Sequence, residues 1–326
     1  MRLRRRPMLT SDIQTCAELI ASHPLERKRY GKLANELSSA WEQSLRAGAL
    51  ITGVIEDVDA VKPSLQGFGV NTFVTDEFVR YCKAPAMRWI GPGLVRRLMR
   101  GQSPILAPKA IRNANSRDGL NLASWAAFLC PKNKADRDRV QIELMNGFMQ
   151  EHCGYMLKEI ISQPIEPVMM EVVLNSGGFL WDSGQGRYTK VNHFNAQEVL
   201  QRPFILGANR ETTSRYLSLT TILFQYNRPR IYLKPAQQRL LLAAIKGLKD
   251  DEISDDLRVS LSFVKKTWSG IYDRVVERLP ELNLDISTRL VPQRGKEKKQ
   301  RVLSYLRDHP EELRPITTGL PDDLRR

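Results

Sequence analysis

The chain has 326 residues, of which 50 are Lys or Arg and 36 Asp or Glu, for a formal net charge of +14. That length holds two domains with a sizeable core, and a composition 42% hydrophobic and 26% charged excludes a disordered polyelectrolyte. The excess of positive charge favours polyanionic partners, nucleic acid foremost, without identifying one. Cys16, Cys82, Cys130 and Cys153 make no CxxC pair and read as free thiols of a reducing cytoplasm. His23, His152, His193 and His309 have no zinc-like spacing, so no metal and no cofactor is expected. The opening "MRLRRRPMLTSD" is basic without an apolar run behind it, unlike a secretory signal. The most apolar segment, Leu120–Cys130, is shorter than the roughly 20 residues a bilayer requires. A cytoplasmic protein without a membrane partner is the expectation.

In chain order, the first predicted helix is Ser11–Ser22, with Ser11 and Gln14 at capping-box spacing and Ile13, Cys16, Ala17 and Ile20 on one face. A second spans Lys32–Arg46, with Leu33, Leu37, Ala40, Trp41 and Leu45 as its stripe. Strands are expected at Ala49–Asp57 and Leu65–Asp76, then an Arg-, Pro- and Gly-dominated segment over 80–117. Leu120–Cys130 reads as a buried strand, Ala135–Ile161 as a long helix, Glu166–Leu174 as a strand, and Asp182–Arg187 as a turn. Residues 1–228 are thus expected to be an α/β (or α+β) domain with a mixed sheet, ending at a hinge near "YNRPRIY".

Beyond it the pattern is helical. Pro235 suits a first helical position and Gly247 a stop, with Leu241, Ala244, Ile245 and Leu248 facing inward. A short helix follows, with Ile253 and Leu257 four apart, and Ser260 is placed to cap the next. There Val264, Trp268, Ile271, Val275 and Leu279 recur every three or four residues. Ser262, Lys265, Lys266 and Ser269 then face outward, small and basic as a helix lying in a DNA major groove requires, with Ser260 at its start. A helical bundle with a solvated lysine pair would show the same periodicity.

Residues 233–275, "LKPAQQRLLLAAIKGLKDDEISDDLRVSLSFVKKTWSGIYDRV", resemble the LuxR/GerE-type DNA-binding domain. Leu233, Pro235, Leu241, Gly247, Glu252-Ile253, Leu257, Val259-Ser260, Val264-Lys265 and Ile271-Tyr272 fall in that family's register without a gap. Gln237 stands where the family usually has Glu, Arg258 where it has Gly, Phe263 for Thr and Thr267 for His. The resemblance implies an all-α helix-turn-helix domain over 229–280, double-stranded DNA as partner, and Ser260, Ser262, Lys265, Lys266 and Ser269 as DNA-binding residues. Residues 281–326 are expected to be a basic linker and C-terminal helix. Its apolar positions Val302, Leu303, Tyr305 and Leu306 suit dimerisation or packing on its own domain, and its basic start suits phosphate contact.

The order of elements in 1–228 resembles the GNAT acetyltransferase fold. The loop that in that family holds the acetyl-CoA pyrophosphate corresponds to "CPKNKADRDRVQIEL", which has Lys132, Lys134 and Arg137 but no glycine, so the resemblance implies no acetyl transfer. No catalytic constellation stands out. The pairs Gly67/Gly69, Gly91/Gly93 and Gly184/Gly186 read as turns or strand kinks, and His152 and Cys153, adjacent on one helix, point apart. Segment 80–117 has nine Lys or Arg and no acid. Arg88, Arg96, Arg97 and Arg100 are candidates to hold a small anionic effector or DNA phosphate, with Val95, Leu98 and Met99 anchoring their helix; a solvated basic surface is the plainer reading. The leading expectation is a homodimeric, sequence-specific transcription regulator with an N-terminal sensory domain. The alternative is a GNAT-fold, acyltransferase-like enzyme whose helical C-terminus serves assembly.

Overall fold

The computed structural model describes residues 1–190, 195–215, 218–282, 284 and 295–317. Contacts divide the chain into two units, Met1–His152 with Met156–Phe224, and Cys153–Tyr155 with Gln225–Arg326.

The first unit is a mixed α/β structure on eight strands: β1 (Leu3–Arg6), β2 (Leu50–Asp57), β3 (Ser64–Val74), β4 (Leu120–Leu129), β5 (Leu157–Ser162), β6 (Phe179–Asp182), β7 (Arg187–Thr189) and β8 (Leu206–Asn209). Their order is β1-β2-β3-β4-β5-β8-β6-β7, and every neighbouring pair is antiparallel except β4–β5. That parallel ladder runs only from Leu120 opposite Leu157 to Ala123 opposite Ile161.

The helices of this unit are α1 (Thr10–Ser22), α2 (Pro24–Tyr30), α3 (Leu37–Arg46), α4 (Asp76–Lys83), α5 (Ile90–Met99), α6 (Pro108–Asn115), α7 (Lys134–His152), α8 (Pro167–Asn175), α9 (Ala196–Val199), α10 (Arg210–Arg215) and α11 (Leu219–Phe224). Neighbours on a strand point to opposite faces, so both faces of the sheet need cover. Val54, Phe68 and Val70 pack with Ile13 of α1, Trp41 of α3 and Leu94 of α5. Ile55 and Leu129 pack instead with Val140 of α7 and Met169 of α8.

Several expectations need correction. Four residues of β1, three of them arginines, carry no apolar alternation; the strand is held by partners far along the chain. The Arg6 guanidinium donates to Glu56 (2.6 Å) and Asp12 (2.6 Å), and Arg4 donates to Glu56 (2.9 Å). The first helix starts at Thr10, and its amino end is capped by Asp12, whose carboxylate accepts from the Leu9 N–H (2.6 Å), not by Ser11 with Gln14. Lys32–Arg46 splits into a 3-10 turn, Gly31–Glu36, and α3. The long helix stops at His152, because Gly154 takes a left-handed φ of +83° and the chain restarts as β5. Glu166–Leu174 is not a strand: Pro167 opens α8, a helix burying Met169 and Met170. Segment 80–117 folds into the end of α4, then α5 and α6.

The described residues of the second unit hold helices only: α12 (Pro235–Ile245), α13 (Asp250–Leu257), α14 (Leu261–Arg278) and α15 (Gly295–Asp308), with 3-10 turns at Pro280–Leu282 and Pro310–Leu313. One apolar cluster joins Leu240 and Leu241 of α12, Ile253 of α13, Val264, Trp268, Ile271 and Val275 of α14, and Val302, Leu303 and Leu306 of α15. Burying each such side chain contributes about 1.5–3 kcal/mol. The 285–294 part of the expected basic linker lies outside the described residues. Among the described residues no helix is long and apolar enough to cross a membrane.

Two stability predictions follow from these contacts. Hydrogen bonds from Arg6 hold the carboxyls of Asp12 and Glu56 below their ordinary values of 3.8 and 4.5. Their contribution is therefore present above those values and lost as pH falls through the lower folded ones. Stability should fall steeply below about pH 4, and the double variant Asp12→Asn/Glu56→Gln should flatten that fall in thermal unfolding between pH 5 and 3. An unchanged slope would remove the triad from the acid transition. Trp268 is 4% exposed in the middle of the helical cluster. Trp268→Ala should cost about 3–5 kcal/mol in urea unfolding of the helical transition; a variant that unfolds like wild type would refute the packing.

Candidate functional site

The outer face of α14 is built from its inner one. Val264, Trp268, Ile271 and Val275 point into the cluster, which leaves Ser262, Lys265, Lys266 and Ser269 exposed on the other side. Ser260 caps the helix, accepting from the Phe263 N–H at 3.2 Å, and its hydroxyl shares a hydrogen bond with that of Ser262 (2.9 Å). All five expected residues thus lie within the cap and first two and a half turns of one helix, on its solvent side. Sequence reasoning passed over two more: Leu261 and Phe263 are 41% and 44% exposed on the first turn. The signal was present, because Phe263 falls outside the inward period.

The step from α13 into α14 takes three residues. Arg258 ends α13 in the left-handed region, φ 55° and ψ 48°, where the resembled family has glycine. Its N–H donates to the Asp255 carbonyl (3.2 Å), the Val259 N–H to that of Ser254 (3.0 Å), and the Ser254 hydroxyl to that of Val259 (2.5 Å). These bonds hold a turn that a non-glycine residue disfavours by about 1–2 kcal/mol.

Two of the five carboxylates crowding α13 are employed in fixing it. Glu252 accepts from the Lys249 N–H (2.7 Å), closing the amino end of the helix. Asp250 accepts from the Trp268 indole (3.2 Å) and pairs with Lys299 (2.8 Å), whose ammonium lies 4.9 Å over the Trp268 ring. Gln237 caps α12 in the same way, accepting from the Lys234 N–H (2.9 Å), so the Glu-to-Gln departure leaves that cap formed. Asp255 and Asp256 stay exposed on the last turn of α13. On α15 the apolar positions are consumed inside the unit: Val302, Leu303 and Leu306 are buried, and Tyr305 donates to Glu312 (3.2 Å).

The four candidate arginines of the first unit do not form one cluster. Arg88 and Arg96 line a surface depression of about 190 Å³ with Arg29, Tyr81 and Trp89. Arg97 also lies over the Tyr81 ring (4.5 Å) but is paired with Glu77 (2.9 Å). Arg100 is exposed at the carboxyl end of α5, outside the depression. The segment is acid-free only in sequence, since Glu77 reaches Arg97 and Glu159 pairs with Lys83 from outside it. Val95 is buried and Leu98 partly so, but Met99 is 56% exposed at the end of the helix and anchors nothing.

Sequence reasoning missed a cavity of about 250 Å³ between the sheet and α7, α8 and α11. Its walls come from positions scattered between residues 5 and 223, each unremarkable alone. Among the described residues no group of three or more His, Cys, Asp or Glu side chains gathers as a metal site would. Comparison with protein-family models, with curated proteins and with solved structures returned no match.

The strained turn generates a prediction. Arg258→Gly should stabilise the helical unit by about 1 kcal/mol in urea unfolding, because glycine adopts this conformation without the Cβ penalty. A variant no more stable than wild type would mean that the turn is unstrained.

Proposed function

We propose that the protein is a sequence-specific DNA-binding transcription regulator of LuxR type, with the helical unit reading DNA and the α/β unit serving as a sensory or ligand-binding domain. The observation that carries this reading is the outer face of α14: Ser260, Ser262, Lys265, Lys266 and Ser269 exposed together above a buried stripe, with a short bracing helix ahead of them. In this reading α14 lies in the major groove, its lysines neutralise phosphates, and its hydroxyls bond phosphate or base edges. Exposed Phe263 offers an apolar surface to a thymine methyl, which polar groups cannot read. Exposed Asp255 and Asp256 repel phosphate and hold the end of α13 off the backbone. The protein acts as a homodimer on a two-fold operator, and because the apolar positions of α15 are already buried, pairing uses another surface. Arg88 and Arg96, beside two aromatic rings, are the pair best placed to hold a small anionic effector.

A GNAT-fold, acyltransferase-like enzyme is the second reading. It is favoured by the sequence of strand β4, short loop and long helix α7. Against it, residues 130–133 of that loop contain no glycine, so a diphosphate lacks the close backbone approach such a loop provides.

Genome-wide binding-site mapping with the purified protein should recover a two-fold-symmetric motif; a profile no richer than that of any basic protein would favour the enzyme. On a mapped operator, Lys265→Ala should weaken binding across sequences and lower the salt slope by about one unit, and Lys265→Ala/Lys266→Ala by about two. A double variant with wild-type affinity and slope would take these lysines off the DNA.

A further inference from the structure

The cavity under α7 has an unusual wall. Its lining is mainly apolar, with Ile55, Ala127, Leu144, Met169, Val173 and Leu223 among the contributors and neutral polar side chains such as Asn71, Ser124 and Thr220 between them. Among its described lining residues only Arg5 and Glu151 are charged. Arg5 reaches in from β1. Its Nη2 donates to the Gln150 Oε1 (2.6 Å), while its Nη1 is buried without a hydrogen-bond acceptor and lies 3.9 Å from a Glu151 carboxylate oxygen. Gly147 on α7 makes room for it, since a Cβ there would collide with Nη1. A buried guanidinium N–H left without an acceptor is costly, and native structures seldom tolerate one without cause.

We propose that this cavity is a binding site for a small neutral amphiphile, an aliphatic body carrying one acceptor oxygen of the carbonyl or amide kind. Volume sets the size: about 250 Å³ equals the liquid volume of about eight waters, so the occupant has about eight to ten heavy atoms. The walls set the body, because apolar surface removed from water there meets mainly apolar surface. The ion pair sets the head. Arg5 is already balanced by Glu151, so a carboxylate would bring an unbalanced negative charge into an apolar wall, and an ammonium an unbalanced positive one. A hydrocarbon would leave Nη1 without an acceptor. A neutral oxygen accepts from Nη1 and leaves the charge balance unchanged. The site goes beyond the DNA-binding reading and holds whether or not the protein binds DNA.

The test uses the full-length chain without DNA, with octanamide, octanoate and octylammonium as probes. Octanamide at about a hundredfold over its Kd should raise the thermal midpoint by about 5 °C. Octanoate and octylammonium should bind at least about tenfold more weakly by calorimetry. Arg5→Met should lose about tenfold in octanamide affinity and erase its advantage over the charged probes. Ala127→Phe, which fills the cavity, should abolish the shift; if that variant does not fold, Ser124→Leu fills the same wall. No shift with octanamide, or an equal shift in a folded cavity-filled variant, overturns the site. Octanoate binding as tightly as octanamide overturns the neutral head. Operator affinity without these probes reports on the regulator reading separately.

Discussion

The parallel pairing of β4 with β5 is the constraint from which the first unit follows. Antiparallel neighbours can be joined by a tight turn, but parallel neighbours need a long crossover that returns the chain to the same end of the sheet. Here α7 supplies it. Once α7 lies across the sheet it must come close to it, and two glycines allow that approach. A Cβ at Gly67 on β3 would collide with Val140 of α7, and one at Gly147 on α7 would collide with Arg5 of β1. The helix is therefore seated on the glycine-bearing strands, and where it parts from α8 and α11 the apolar cavity remains. A half-buried arginine, a helix-borne glycine and an unfilled volume are consequences of one connection.

The second unit depends on a different economy of charge. A bare cluster of acids on a short helix would oppose a polyanion nearby. Two of the five α13 acids are instead directed inward or toward their own backbone, Glu252 to the Lys249 N–H and Asp250 to Trp268 and Lys299. The same carboxylate that satisfies the buried indole also places Lys299 over its ring, which couples α13, α14 and α15 at one point. Acids at a helix amino end also suit its dipole. What remains exposed on the first turns of α14 is hydroxyl, ammonium, the Leu261 side chain and one aromatic ring, a surface free of carboxylate on that helix face.

How much of this was legible depended on the range of the forces involved. The period of α14 could be read directly, because a helix on a small core has one inward face and Val264, Trp268, Ile271 and Val275 mark it. Ser260 as cap and the strain at Arg258 were equally local, set by a hydroxyl and by a missing glycine. The failures came where distant partners decide. Arg4 and Arg6 look like a solvated basic start until Glu56 and Asp12 are beside them. Glu166–Leu174 is rich in Val and Met and reads as strand, yet Pro167 opens a helix there whose methionines are buried. Residues 157–161 continued a helical count that Gly154 had already ended. The charge of segment 80–117 was read as unrelieved because Glu77 and Glu159 lie outside it. The cavity has no sequence signature, for Arg5, Gly53, Gly147 and Ala208 meet only in space.

Chain order gives the cavity a further significance. The chain passes from the first unit to the second after His152 and again after Phe224. Those residues end α7 and α11, and both helices line the cavity. Filling an apolar void removes missing contacts on every wall at once, so an occupant stabilises whichever placement of α7 and α11 fits it best. Coupling to any second event is then bounded by the difference in affinity between placements, and by nothing else about how tightly the occupant binds. An occupant that fits two placements equally would shift no equilibrium however full the cavity became. Of these walls, α11 is the shortest helix, six residues long, with Leu219, 59% exposed, and Leu223, buried, one helical turn apart. A helix that short gains little from its own hydrogen bonds and takes its position from what packs against it.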